Sequence, residues 1–395
     1  MQKYSLAIIG AGASGLVAAI SAARRGRSVV VCDRLDTAAK KLLASGAGRC
    51  NLCNDRLSAS EYNPESRELV GSVFARFGRE ELLEFLKSLG LYVYSQQGRV
   101  FPITNQSSSM LAVLLRELKR LNIPLELGFE VADIASGGKG FSLVSRQKKT
   151  IRCDSLVIAA GGKSYPALGS NGSCYGFARQ FGHRVIDPVP SVVPLEVKDP
   201  RCHILQGQKI FVCARAVING TIQSQAEGEL LFTKYGLSGT AILDISREIS
   251  IALNRHGEKD VRASVDFVPY MQTEALEAEL TRRIRADWET GGLLDGILPN
   301  KFNRAFADTL AGRVPISIAR ALKDIRFAIR ATRGWNEAEF TAGGVEVTGV
   351  RQATLESKHA KGLYFCGEIL DVEGRRGGYN LAWAFCSGFV AGLAE

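Results

Sequence analysis

The stretch Ser5-Leu-Ala-Ile-Ile-Gly10-Ala-Gly-Ala-Ser-Gly15 decides the fold of this 395-residue chain. After Ser5, the run Leu6–Ile9 is continuously apolar, which is typical of a strand buried on both faces. A helix of small residues is expected over Leu16–Arg25, and a second buried strand is expected over Arg27–Cys32, ending at Asp33. Together these segments predict a βαβ unit.

The glycines and the acid of this unit have distinct expected roles. Gly10 permits a tight turn, Gly12 lets the backbone approach a pyrophosphate, and Gly15 lets the helix pack closely on the strand. The phosphates would face the amides of the helix N-terminus. Asp33 follows at the distance where a carboxylate accepts hydrogen bonds from ribose hydroxyls. The unit therefore predicts a dinucleotide site, and the acid disfavours a 2′-phosphate there.

The bulk composition is that of a globular protein of two or three domains, with 46% hydrophobic and 23% charged residues. The formal net charge is +10, but the basic residues are scattered and form no run of five. This distribution favours a basic surface over a nucleic-acid partner. Nine Cys without a dense framework are typical of reduced thiols. The apolar stretch Tyr379–Ala394 is too short to span a bilayer, so a soluble, cytoplasmic protein without a membrane partner is expected.

A further set of short motifs runs through the chain. They are Lys40-Lys-Leu-Leu-Ala-Ser-Gly-Ala-Gly-Arg-Cys-Asn51, Gly98-Arg-Val-Phe-Pro102, Ala159-Ala-Gly-Gly-Lys-Ser-Tyr165, Gly228-Glu-Leu-Leu-Phe-Thr233, Gly236-Leu-Ser-Gly239, Thr341-Ala-Gly-Gly-Val345, Gly362–Asp371 and Gly377-Gly-Tyr-Asn-Leu381. In this order they resemble the BaiN/YhiN family of bacterial FAD-dependent oxidoreductases, over nearly the whole chain.

The resemblance implies an α/β fold. A glutathione-reductase-like, Rossmann-type FAD-binding domain is interrupted by an inserted β-barrel-like domain that carries a small helical subdomain. Three prolines in Asp187–Pro194 mark the first boundary. The expected parts are residues 1–189 for the first portion of the FAD-binding domain, residues 190–340 for the insert with helices near 270–312, and residues 341–395 for the return. Strands are expected at Ile210–Asn219 and Thr221–Phe232, and helices at Thr273–Trp288 and Lys301–Leu310.

A second acid-and-glycine element near the C-terminus distinguishes FAD from NAD. Leu363–Glu368 is expected to be a buried strand ending in glycine and an acid, and Gly377-Gly378 then precedes the last helix. A single NAD site would not need this element. The predicted FAD-binding residues are Gly10, Gly12, Ala13, Ser14, Gly15, Asp33, Arg34, Lys41, Ser45, Gly46, Gly48, Arg49, Cys50, Asn51, Ala160, Gly161, Gly162, Gly367, Glu368, Gly377, Gly378, Tyr379, Asn380 and Leu381.

Cys50-Asn-Leu-Cys53 forms a C-x-x-C, and Cys53 departs from the family pattern. Two unpaired thiols are the favoured interpretation. A redox disulfide beside the flavin is the first alternative. A zinc half-site is the second, although the chain has no second pair of cysteines to complete it, so no metal is expected.

The expected activity is that of an FAD-dependent oxidoreductase that reduces an unsaturated or carbonyl small-molecule substrate with NAD(P)H. An amine oxidase using oxygen and an RNA-associated flavoprotein are the alternatives, and a flavin-binding sensor is a third. Because the flavin carries out the electron transfer, few side chains are obligatory. The catalytic residues are not identified, and the proton-donor candidates are Tyr165, Lys163, Tyr235 and Tyr379. Arg375-Arg376 is predicted to attract an anionic substrate or the phosphate of NADPH, and His183 is expected to be structural.

Overall fold

The computed structural model describes residues 3–137 and 140–393. Contacts divide the chain into two units, residues 1–188 with 340–395 and residues 189–339. We call them the Rossmann unit and the barrel unit. Up to residue 191 the strands are β1 (Lys3–Ile9), β2 (Val29–Cys32), β3 (Cys53–Asn54), β4 (Val93–Gln96), β5 (Arg99–Pro102), β6 (Leu125–Glu126), β7 (Val131–Ser136), β8 (Phe141–Ser145), β9 (Thr150–Ile158) and β10 (Val185–Ser191). The helices are α1 (Ala13–Ala23), α2 (Lys40–Ala44), α3 (Arg67–Arg76), α4 (Arg79–Ser88), α5 (Ser107–Arg120) and α6 (Tyr175–Gln180).

The remaining elements belong to the barrel unit and to the return of the chain. The barrel unit has strands β11 (Leu195–Val197), β12 (Lys209–Ile218), β13 (Thr221–Thr233), β14 (Gly236–Ser238), β15 (Val261–Asp266) and β16 (Ile325–Thr332). Its helices are α7 (Pro200–Ile204), α8 (Thr240–Ser250), α9 (Thr273–Arg285), α10 (Lys301–Ala305), α11 (Ala307–Ala311) and α12 (Pro315–Lys323). The return contributes β17 (Phe340–Val345), β18 (Leu363–Phe365) and α13 (Tyr379–Gly392).

A seven-stranded sheet forms the centre of the Rossmann unit. Its order is β6-β2-β1-β9-β8-β7, and β18 also pairs with β9. Strands β6, β2, β1, β9 and β18 are parallel, while β8 and β7 are antiparallel. The carboxyl ends of parallel strands meet at one edge of a sheet, which is where α/β folds bind ligands. The loops after β1, β2, β9 and β18 therefore converge at that edge.

Helices α1 and α13 pack against each other through small residues. A Cβ added to Gly388 would lie 2.3 Å from Ser14 O, and one added to Gly392 would lie 2.4 Å from Ala18 O. Side chains at these positions would push the helices apart, because cores packed to crystal-like density leave no room for an extra methyl group. The close approach places the N-terminus of α1 beside the loop after β18.

The barrel unit is a closed barrel in the order β11-β14-β13-β12-β15-β16. Buried aromatic side chains fill part of its core, with Phe232 and Phe267 6.1 Å apart and Phe302 5.5 Å from Phe267. Such ring pairs add about 0.5–1.5 kcal/mol each beyond their buried area. The α/β fold with a barrel-like insert, as expected from the sequence, is confirmed.

Two predicted helical segments differ from those in the structure, and one predicted turn falls partly outside the described residues. The helix expected over Lys301–Leu310 is two short helices, α10 and α11, which meet at Phe306 with φ −114° and ψ 20°. The helical region also continues to Lys323, beyond the limit expected near residue 312. The hairpin turn expected at Gly137–Gly140 includes residues 138 and 139, which lie outside the described residues. No helix among the described residues is long and apolar enough to cross a membrane.

Candidate flavin site

The glycine turn after β1 is shaped by close backbone contacts. Gly10 has φ 111°, and a Cβ there would lie 2.4 Å from Ala159 O. A Cβ on Gly15 would lie 1.9 Å from Gly10 O. The turn, the start of α1 and the end of β9 therefore need glycine at both places, as expected of a dinucleotide-binding turn.

Gly12 differs from Gly10 and Gly15 because a side chain at this position would meet open space. No protein atom lies within 4 Å of a Cβ built on it. Gly12 is also the N-cap of α1, and no side chain in the described part of the chain caps this helix. The amides of Ala13 and Ser14 thus point out of an uncapped helix N-terminus, where a phosphate satisfies them and interacts favourably with the helix dipole.

The Asp33 carboxylate is anchored by two backbone amides. Ala11 N donates to Oδ2 at 2.7 Å, and Leu35 N donates to Oδ1 at 2.8 Å. Each carboxylate oxygen keeps further acceptor capacity, so Asp33 can also accept from ribose hydroxyls. The neighbouring Arg34 donates instead to Gly169 O at 3.2 Å and Pro166 O at 3.1 Å. Its side chain holds the loop after β9.

Glu368 is the centre of a polar network that joins four segments. Its Oε2 accepts from Lys41 Nζ at 2.6 Å, and its Oε1 accepts from Ser164 Oγ and Thr341 N, each at 3.0 Å. Lys41 Nζ also donates to Ser164 Oγ at 2.5 Å. The Lys41 and Glu368 side chains are 26% and 21% exposed, so this partly desolvated ion pair depends on its hydrogen bonds for favourable geometry.

The Ser45–Asn51 loop and the Gly377-Gly378 pair meet, although more than 320 residues separate them. With the Asn51 side-chain amide in the orientation that satisfies both of its polar atoms, its Oδ1 accepts from Gly378 N and its Nδ2 donates to Cys53 O, both at 3.1 Å. A Cβ on Gly378 would lie 2.3 Å from Cys53 O. The loop itself contains left-handed residues, with φ 58° at Gly46 and 84° at Gly48. Ser45 Oγ donates to Leu42 O at 2.6 Å and closes the end of α2.

The other predicted residues of the edge serve mainly to shape loops. Gly161 has φ 75°, and a Cβ on Gly162 would lie 2.4 Å from Thr341 Oγ1. Gly367 has φ 76°, and a Cβ there would lie 2.5 Å from Ser14 Oγ. Asn380 Nδ2 donates to Gly374 O at 2.7 Å, and its Oδ1 accepts from Gly374 N at 2.9 Å. Ala160 and Leu381 are half-buried beside these turns.

Cys50 and Cys53 are both buried free thiols. Burial raises the pKa of Cys50 to about 12 and that of Cys53 to about 11. Thiols with such pKa values stay protonated at neutral pH, and a protonated thiol is a poor nucleophile. Burial of the two thiols therefore supports the interpretation of two unpaired thiols over redox chemistry.

The four proton-donor candidates do not form one group. Tyr379 begins α13, is 7% exposed and has its hydroxyl pKa raised by burial. Lys163 N donates to Thr341 Oγ1 at 2.8 Å, and Tyr165 adopts φ 53° before a proline. Tyr235 belongs to the barrel unit, where Arg333 lies 4.7 Å above its ring.

Sequence reasoning missed several residues that organise the site. Thr341 and Ser164 lie inside the quoted motifs, but nothing in their spacing indicated that both reach Glu368. Asn54 was also missed, and its Nδ2 donates to Gly377 O at 2.9 Å. An Asn directly after the C-x-x-C was the available signal, since its side chain can bond backbone groups in turns.

The uncapped start of α1, the Asp33 carboxylate and the Glu368 network lie at one edge of the sheet of an FAD-dependent oxidoreductase. The chain belongs to the family of HI0933-like proteins with a Rossmann domain, whose family model matches residues 4–394. The resemblance noted in the sequence is therefore confirmed.

Two relatives extend over the whole chain. A 3-dehydro-bile acid delta(4,6)-reductase of Clostridium scindens is 36% identical, covering 98% of each chain. A ribosomal RNA dihydrouridine synthase of Escherichia coli is 30% identical, covering 99% of this chain and 97% of its own. Among solved structures, 3-ketosteroid delta1-dehydrogenase from Sterolibacterium denitrificans superposes with a TM-score of 0.52 at 13% identity, covering 100% and 99% of the two chains. This last likeness concerns the fold alone.

Proposed function

We propose that this FAD-dependent oxidoreductase reduces a carbon–carbon double bond conjugated to a carbonyl group, with NAD(P)H as the electron donor. The observation that carries the proposal is the similarity, over the full length of the chain, to a reductase of unsaturated 3-dehydro-bile acids. A 3-oxo group and a neighbouring double bond form an enone. Reduction of uridine to dihydrouridine, the reaction named for the second relative, also saturates a double bond conjugated to a carbonyl.

The residues at the carboxyl edge of the sheet fit FAD. We assign the uncapped amides at the start of α1 to the pyrophosphate and Asp33 to the adenosine ribose. Glu368 and the Gly377-Gly378 turn would hold the ribityl and pyrimidine end. The FAD-binding domain would then consist of residues 1–189 and 341–395. When bound, FAD supplies hydride transfer to the substrate. The polar network of Lys41, Ser164 and Glu368 would orient the loops around it.

Reduction of an enone also needs a proton at the carbon next to the carbonyl. Among the candidates, we favour the Tyr379 hydroxyl. Tyr379 directly follows the Gly377-Gly378 turn, and its ring is fixed by an edge contact with Tyr62 at 6.2 Å. Tyr62 Oη donates to Tyr379 O at 2.7 Å. The hydroxyl, whose pKa burial raises above its ordinary value, carries its proton at neutral pH and can donate it to the substrate carbon.

The test is anaerobic reduction of the purified, FAD-loaded protein. NADH or NADPH should bleach the flavin absorbance, and addition of a 3-oxo-4-ene steroid should restore it with formation of the saturated ketone. An absorbance that bleaches with an amine and not with NAD(P)H would reject the reductase and favour the amine oxidase. Flavin that no donor reduces would instead favour the sensor.

A second candidate function, reduction of uridine in RNA, is supported by the distribution of charge. The Rossmann unit has nine more Lys and Arg than Asp and Glu, whereas the barrel unit has one more. A net positive charge raises affinity for nucleic acid. Salt-sensitive binding of ribosomal RNA and NADPH-dependent dihydrouridine in that RNA would establish this candidate. RNA that fails to bind at low salt would remove it.

A further inference from the structure

The small sheet β3-β5-β4 in the Rossmann unit has a face to which the proposed function assigns no role. In its hairpin, Tyr94 lies opposite Phe101, and Gln96 lies opposite Arg99. Directly opposed residues share a face, as do residues two positions apart in a strand. These four side chains therefore lie on one side of the hairpin, which we call the hairpin face.

Arg49 lies over the hairpin face. Its guanidinium carbon is 4.2 Å from the centroid of the Phe101 ring. Nε donates to Asn105 Oδ1 at 3.3 Å, and Nη2 donates to Tyr94 Oη and Gln96 Oε1, both at 3.2 Å. All four partners are uncharged, so the cation is held in one orientation while its charge is not neutralised.

The Nη1 atom of Arg49 is the open end of this arrangement. A guanidinium has five N–H donors, and the bonds above use those on Nε and Nη2. Within residues 3–137 and 140–393, neither N–H of Nη1 has an acceptor and no carboxylate pairs with Arg49. The half-buried side chain therefore presents two oriented donors and a full charge to an incoming oxyanion.

Asn54 links two further arginines, Arg56 and Arg99, to the hairpin face. Asn54 pairs with Arg99 across β3 and β5, and its Oδ1 accepts from Arg56 N at 2.9 Å. Its Nδ2 holds the carbonyl of Gly377, beside the predicted flavin loop. Arg56 and Arg99 are exposed, and in the described part of the chain neither forms an ion pair. Arg49 and Arg99 thus lie at the hairpin face, Arg56 follows Asn54 by two residues, and none of the three has a carboxylate partner among the described residues.

The pair predicted from the sequence to attract anions is less suited to that role. Arg375 Nη1 lies 3.4 Å from Glu61 Oε2, so part of its charge is already compensated. Its side chain is 77% exposed, and an exposed cation of this kind binds an anion weakly because water screens the charge.

We infer that the hairpin face binds a carboxylate carried by the small-molecule substrate, with Arg49 as its principal ligand and Arg99 and Arg56 adding charge. One fixed guanidinium with a single open end matches one oxyanion. An RNA chain would instead need several spaced contacts to successive phosphates. The inference rests on the proposed function and specifies it, since the reducible enone would belong to an organic acid.

The test is calorimetric titration of the FAD-loaded protein with a saturated 3-oxo steroid acid and with its methyl ester. The acid should bind the natural protein more tightly than the ester. Arg49→Gln should weaken binding of the acid about tenfold, as expected for loss of one hydrogen bond to a charged group. It should leave ester binding and melting temperature unchanged. Arg49→Lys, which keeps the charge but not the planar fork, should fall between the two.

Arg146→Gln is the matched control, because Arg146 is an exposed arginine paired with Glu130 on the distant β8–β9 side of the unit. It should leave binding of both ligands unchanged. Equal affinities for acid and ester, equal losses of both in Arg49→Gln, or no binding of either would overturn the inference. Arg49-dependent binding of an RNA oligonucleotide that exceeds binding of the acid would also overturn it. The outcome is independent of turnover: if the proposed function fails, the unsaturated acid binds but NAD(P)H does not reduce it.

Discussion

The two ends of the candidate flavin site are built in different ways. The nucleotide end comes from one continuous stretch, Ser5–Asp33, whose turn, helix and strand follow each other in the chain. The other end combines the Ser45–Asn54 segment with Thr341, Glu368 and the Gly377-Gly378 turn, which are hundreds of residues apart. The first end depends on local backbone geometry, and the second depends on contacts made only when the whole unit folds. Substitutions at the two ends should therefore have different consequences.

The largest effect is expected at Gly15. Gly15→Ala would place a Cβ 1.9 Å from Gly10 O. The turn and α1 must then separate, and we expect a loss of about 3 kcal/mol or more of stability, since overpacked backbone contacts relax poorly. Thermal unfolding and FAD content of the purified protein measure the result.

Gly12→Ala is the informative partner of that variant, because no protein atom lies near its added Cβ. It should fold with an unchanged melting temperature yet bind FAD about tenfold more weakly or worse, if the phosphate occupies that space. Gly176→Ala, also in open space, serves as the control with neither effect. Normal FAD affinity in Gly12→Ala would contradict the assignment of the pyrophosphate.

The next prediction concerns the second end of the site, which is built from segments that are distant in the chain. Tyr379→Phe should lower kcat about 100-fold while KM and FAD content stay near those of the natural protein, as expected for removal of a general acid. Tyr165→Phe and Tyr235→Phe should change kcat far less. A larger fall in either of those variants would transfer the role of proton donor to that residue.

His183, which packs against Phe365 of β18, is expected to make the stability of the protein depend on pH. His183 is buried between His359 and Phe365, its Nε2 is 2.7 Å from Ser357 Oγ, and its Nδ1 has no partner among the described residues. Burial, with a smaller contribution from His359, lowers the His183 pKa to about 4.

The unfolded chain therefore takes up this proton at higher pH than the folded protein does. The contribution of His183 to stability is complete above about pH 6.5 and is lost progressively as the pH falls from 6.5 to 4, with a cost of about 3 kcal/mol. Urea unfolding at pH 7, 5.5 and 4 measures this loss. His183→Asn should show a correspondingly shallower pH dependence, whereas an equal slope in both proteins would assign the loss to other groups.

A smaller effect is expected for the ion pair between Lys41 and Glu368. Glu368→Gln and Lys41→Met should each destabilise the protein by about 1 kcal/mol, because both side chains are partly exposed and solvent screens the pair. A double-mutant cycle isolates their coupling. Zero coupling, together with unchanged FAD affinity, would show that the contact is incidental to the site.

The smallest effect concerns the C-x-x-C. Cys50→Ala and Cys53→Ala, alone or combined, should leave the rate of flavin reduction unchanged, since thiols with pKa values of about 12 and 11 supply almost no thiolate at neutral pH. Stopped-flow reduction by NAD(P)H measures this rate. A marked slowing in both single variants would restore the redox interpretation.

The sequence predicted features encoded by neighbouring residues better than features that depend on contacts between distant segments. The strands and helix of the opening unit were predicted because their apolar runs and glycines are contiguous. In the barrel unit, the helix predicted over Lys301–Leu310 was wrong in its continuity, because the apolar pattern continues through Phe306 while the backbone there is not helical. The prediction that Arg375-Arg376 attracts an anion stays a prediction, and the Glu61 carboxylate beside Arg375 could not enter it, because that proximity depends on tertiary packing.

The sequence by itself determined the cofactor class, the opening βαβ unit and the presence of an inserted barrel. These features depend on local backbone preferences and on motifs whose residues are neighbours in the chain. Only the tertiary structure decided that Lys41 pairs with Glu368, that Asn51 meets Gly378, and that Arg49 lies over the hairpin face. The physical reason is that a contact between remote segments depends on how the sheet, α1 and α13 pack, and no spacing along the chain encodes that distance.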